Sequence, residues 1–90
     1  MIDAALLEAV LSGVSPRLTF DDLERQLRAS FPGVHITVCG EDDVPPRLPA
    51  AAENEFCYLY YVDASEHCLK LTTDAEAATG VAVALRSEDD

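Results

Sequence analysis

Phe56-Cys57-Tyr58-Leu59-Tyr60-Tyr61-Val62 runs into Asp63-Ala64-Ser65-Glu66 and then into His67-Cys68-Leu69-Lys70-Leu71-Thr72. Two runs rich in aromatic and aliphatic residues around turn-forming residues read as a β-hairpin, and that reading decides the fold class. With Ala64 and Ser65 as the loop, Val62 is expected opposite His67, Tyr60 opposite Leu69 and Tyr58 opposite Leu71. This register gathers Phe56, Tyr58, Tyr60, Val62, Leu69 and Leu71 on one apolar face, with Cys57, Leu59, Tyr61, Cys68, Lys70 and Thr72 on the other.

Working outward, Val34, Ile36 and Val38 alternate with His35, Thr37 and Cys39, the pattern of a half-buried strand. Gly40 to Asn54 reads as a long connection with Pro45, Pro46 and Pro49, and with a helical turn over Pro49 to Glu53. On the C-terminal side, Thr73-Asp74-Ala75-Glu76 has the form of a capping box and predicts a short helix that Gly80 ends. Val81-Ala82-Val83-Ala84-Leu85 then reads as a last strand, continuation of the helix through Gly80 being the alternative.

The N-terminal third is helical in period. Ile2, Ala5, Leu6, Ala9 and Val10 fall at helical spacing before Gly13, while Leu7 and Leu11 carry the apolar surface round the cylinder. That excess predicts a helix wedged deep in the fold or meeting a second chain. A second helix starts at Thr19, with Asp22 completing a capping box and Leu18 and Leu23 forming a staple. Phe20, Leu23, Leu27 and Phe31 share its apolar face, and Pro32-Gly33 ends it. The expected fold is α+β: two N-terminal helices packed on a small, mainly antiparallel four-stranded sheet, with a short helix before the last strand. Ninety residues suit one such domain, 1–90.

Charge excludes whole classes of function. Seventeen Asp and Glu against six Lys and Arg give a formal net charge of −11, which repels phosphate backbones and anionic membranes and draws the chain toward basic surfaces. Direct nucleic-acid binding is disfavoured, and the two helices do not read as a DNA-binding pair because Arg25 and Arg28 are balanced by neighbouring acids. No apolar run reaches the length of a membrane span, and Met1-Ile2-Asp3 lacks the basic start of a secretory signal. With three cysteines, an odd number, the chain is expected in the reducing cytoplasm with its thiols free.

Candidate chemistry is sparse. His35, Cys39, Cys68, Asp42 and Asp43 supply imidazole, thiolate and carboxylate, the donors of zinc or iron sites, and could meet if the first and third strands were neighbours. Their spacing matches no zinc finger and no His-Glu-x-x-His helix. The tyrosines at 58, 60 and 61 read as sheet packing rather than a base-stacking platform, since the chain is so acidic. No serine lies in a Gly-x-Ser-x-Gly turn, and the four glycines form no phosphate loop.

His35 to Asp43, Tyr60-Tyr61-Val62-Asp63, Glu66-His67-Cys68-Leu69, Leu71-Thr72 and Ala78-Thr79-Gly80 resemble a family of small acidic bacterial proteins of unknown function associated with nitrogen-fixation gene clusters. The resemblance implies an accessory role around nitrogenase, its electron donors or its metal-cluster assembly, and brings no assigned site residues. Two functions are therefore expected to compete. The first is a non-enzymatic accessory module without a cofactor, meeting a basic patch on a protein partner through Leu7, Leu11, Glu41, Asp42 and Asp43, with the first helix also able to form a homodimer. The second is a metal- or redox-handling protein built on the His/Cys/Asp cluster.

Overall fold

The computed structural model describes residues 2–15, 17–40, 42, 44, 48–64 and 70–86. Two helices, α1 (Ala4–Gly13) and α2 (Phe20–Ser30), precede five strands: β1 (His35–Gly40), β2 (Ala52–Glu53), β3 (Cys57–Asp63), β4 (Lys70–Thr72) and β5 (Gly80–Leu85). The sheet order is β1-β5-β3-β2, with β4 also paired to β3. The α+β expectation holds, and the sheet is mixed: β1 and β5 are parallel, whereas β5, β2 and β4 all run antiparallel to β3.

Both helices start on the caps their sequences offer. The Asp3 carboxylate accepts from Leu6 N–H at 2.9 Å, and the Thr19 hydroxyl accepts from Asp22 N–H at 3.1 Å. In α1 the buried stripe is Leu7 and Val10, with Ile2 and Val14 beyond its two ends and Leu6 and Leu11 at its margin. Ala5 and Ala9, expected on the inner face, are exposed. The leucines win because a larger side chain removes more apolar area from water, and the surplus grease of α1 is mostly absorbed within the fold. In α2, Leu23 and Leu27 are fully buried while Phe20 is 46% exposed, so the inner face is narrower than the expected four-residue stripe.

The hairpin register differs from the expectation by four residues. Leu71 pairs with Val62 rather than Tyr58, and Thr72 and Lys70 pair with Tyr61 and Asp63. An even shift leaves every side chain on its expected face, so alternation alone could not detect it; only the length of the connection distinguishes the registers. The expected facing of His67 and Leu69 lies outside the described residues.

Two other expectations are corrected. The helical turn over Pro49 to Glu53 gives way to β2, because Asn54 makes a tight turn that folds Ala52 and Glu53 back on Leu59 and Tyr58. The Asn54 side-chain oxygen accepts from the N–H groups of Phe56 at 2.8 Å and Cys57 at 3.0 Å. The helix before the last strand is likewise a turn, in which Asp74 accepts from Glu76 N–H at 3.0 Å. Residues 73–79 carry the chain from β4 across β3 to β5, leaving beside Tyr61 and re-entering beside Val62. The Thr72 hydroxyl and the Asp74 carboxylate each accept from the N–H two residues on, at 3.1 and 3.0 Å, and these side-chain turns compete with the start of a helix.

Two apolar clusters sandwich the sheet. On one side α1 and α2 cover Ile36, Cys57, Leu59, Val81 and Val83. On the other, Val44, Leu48 and Ala50 from the connection after β1 cover Tyr60, Val62, Ala82 and Ala84. Gly80 opens the central strand where β1 and β5 begin their ladder, and a Cβ there would stand 2.6 Å from the Cβ of His35 and closer still to its carbonyl. We expect Gly80→Ala to destabilise by roughly 1–3 kcal/mol, as overpacking does. Gly13→Ala, whose added methyl meets the movable Leu27 Cδ2 at 3.3 Å, should cost much less. Urea unfolding of the two variants side by side checks the contrast.

Candidate functional site

Among the described residues, those expected to ligate metal do not converge. His35 and Cys39 share one face of β1, but they sit four residues apart on a strand whose pairing with β5 is unbroken. At about 3.3 Å per residue their Cα atoms are roughly 13 Å apart, too far for one ion with bonds of about 2 Å. The neighbourhood on which Cys68 depended also fails for the described strands. β5 and β3 lie between β1 and β4, which puts those strands about 14 Å apart at ordinary strand spacing. Cys39 is half-buried and packs toward the second apolar cluster, Asp42 is exposed, and Asp43 and Cys68 lie outside the described residues. No group of three or more metal-capable side chains comes together among the described residues.

The partner-facing residues also separate. Leu7 is 5% exposed and belongs to the core, so it is closed to a partner; Leu11 is half-buried against the same core. Asp42 stands on the surface, while Glu41 and Asp43 lie outside the described residues. Among the described residues no helix is long and apolar enough to cross a membrane.

What the fold does assemble is an acidic surface. No charged side chain is buried among the described residues. Asp3, Glu8, Asp21, Asp22, Asp42, Glu53, Glu55, Asp74 and Glu76 are all exposed. A backbone bond from Ile2 N–H to the Ala75 carbonyl, 3.1 Å, brings the Asp3 cap beside the turn that carries Asp74 and Glu76. Sequence reading missed this grouping because some seventy residues separate its halves and no local pattern signals it. Several of the cations that could neutralise the surface are engaged locally. Arg25 lies 3.5 Å from Asp22, Arg28 3.6 Å from Glu24, and Arg86 donates to the Asn54 carbonyl at 3.2 Å with its guanidinium 5.1 Å above the Tyr58 ring.

Among the described residues, Cys57 is the buried thiol. It is fully enclosed on the helix side of β3, and burial pushes its pKa from 9.0 up to about 11, which keeps it a neutral thiol and a poor nucleophile. The unfolded chain ionises first as pH rises, so the stability this thiol contributes is complete below pH 9 and is lost between 9 and about 11. Two pK units correspond to about 3 kcal/mol. Unfolding free energies from pH 8 to 11 should therefore fall more steeply for the wild type than for Cys57→Ala, and parallel curves would show that the thiol carries none of the dependence.

A model of a family of unknown function (DUF6129) matches residues 3–86. No curated protein and no solved structure matches the chain.

Proposed function

We propose that this chain, which belongs to the DUF6129 family of unknown function, is a non-enzymatic accessory protein whose acidic surface binds a basic patch on a protein partner. The observation that carries this reading is a net charge of −11 combined with arginines already engaged by neighbouring groups. A field of that sign raises the rate of encounter with cationic surfaces and turns away phosphate-rich ones. Asp3, Asp74 and Glu76 form the patch we assign to the contact, and Asp42, which follows the opposite end of β1, is proposed with its sequence neighbours Glu41 and Asp43 as a second acidic contact. The resemblance over residues 35–80 supports a setting in nitrogen fixation, with an electron donor or a cluster-assembly protein as partner.

The test is capture of partners from the native cell extract on immobilised protein at low and at moderate salt. A specific partner should bind at low salt and weaken steeply as salt screens the field. Asp3→Asn, Asp74→Asn and Glu76→Gln together keep the cap and the turn, because Asn also accepts from a helix N-terminal N–H, but remove three charges. The triple variant should hold the partner about tenfold less tightly at low salt. Failure to recover any specific partner under either condition would reject the proposal.

A further inference from the structure

Among the described strands β1 lies at the edge of the sheet and lacks the usual sequence protections. Among the described residues it pairs only with β5, its six residues His35-Ile36-Thr37-Val38-Cys39-Gly40 include no Lys, Glu, Asp or Pro, and its register with β5 is unbroken by a bulge. Such an edge invites another strand to pair with it. In a parallel ladder the N–H and C=O of one residue point to the same side. His35 N–H turns inward to the Thr79 carbonyl at 3.2 Å, so Ile36 and Val38 turn their groups outward. Two side chains one turn apart on α2 meet them there. Arg28 Nε donates to the Ile36 carbonyl at 3.0 Å, and Glu24 Oε1 accepts from Val38 N–H at 3.0 Å.

We infer that Glu24 and Arg28 are a guard on the β1 edge, an internal contact that occupies the backbone groups a second copy of the chain would otherwise pair with. The ion pair between them is not its substance. At 3.6 Å, with side chains 27% and 52% exposed, that pair is worth little by itself, whereas the two bonds to backbone remove the template for strand addition. The helix holds them in place through the Thr19 cap and the buried Leu23 and Leu27. Without the guard, the Ile36 carbonyl and the Val38 N–H would be open to a strand of a second copy.

The test is the double variant Glu24→Ala, Arg28→Ala, followed by sedimentation over a concentration series at low and moderate salt. It should form dimers in which the Ile36 and Val38 amides are protected from exchange, and association should strengthen with salt as repulsion between copies of charge −11 is screened. This is the opposite salt trend from partner capture, so the failure of one proposal is distinguishable from the failure of the other. Glu24→Gln keeps an oxygen acceptor for Val38 N–H and should not associate through β1. A double variant with native circular dichroism that gains no association through β1 overturns the inference. Should that variant not fold, exchange at the Val38 amide decides: at least tenfold slower than an open amide in the wild type and in Glu24→Gln upholds the guard, and open exchange in the wild type rejects it.

Discussion

Strand β5 is hydrogen-bonded along both edges and covered on both faces, and the rest of the fold is arranged by that constraint. β1 lies parallel on one side and β3 antiparallel on the other, so the two strands that build most of the sheet meet only through β5. Its alternation is one of size rather than polarity. Val81 and Val83 face the helices, where a thick layer has to be filled, and Ala82 and Ala84 face the segment carrying Val44 and Leu48, where a thin cover must come close. A strand buried on both faces reads as a continuous apolar run, and the ladder between β1 and β5 closes at its start only because Gly80 has no side chain.

The same two-sided burial explains which parts of the fold were legible from sequence. Caps at Thr19, strand periodicity in β1 and β3 and the strand reading of Val81 to Leu85 are local signals, and all of them appear in the structure. The relations between elements were hidden for identifiable reasons. A hairpin shifted by four residues has the same faces as the expected one, and a two-residue strand such as β2 carries no period at all. Its signal was Asn54, a residue whose side chain builds a turn, placed just before the aromatic run. Strand order depends on contacts between distant segments, so the placing of β5 and β3 between β1 and β4 had no local trace.

The candidate site was read unevenly for the same reason. Donor type is a property of single residues and was visible, but convergence is a property of topology. His35 and Cys39 share a face and still stand far apart, because strand periodicity repeats a direction without bringing side chains together. The acidic grouping of Asp3 with Asp74 and Glu76 runs the other way: nothing in either segment announces it, and one backbone bond between Ile2 and Ala75 creates it.

Fold and charge are largely decoupled in this molecule. The core is apolar on both sides of the sheet, and no buried charged side chain among the described residues ties the packing to the ionisation of the surface. Exposed ion pairs such as Arg25 with Asp22 contribute little to stability, so the acids outside the caps and the β1 contact can change with little consequence for the core. Glu24 is the exception, because its carboxylate bonds to the backbone of β1 while its neighbours on α2 carry the general surface field. On the function proposed for it, a small domain built this way can vary its electrostatic face to suit a partner while Glu24 and Arg28 cover the backbone of β1, so that the residues proposed to choose a partner are separate from those proposed to prevent the wrong one.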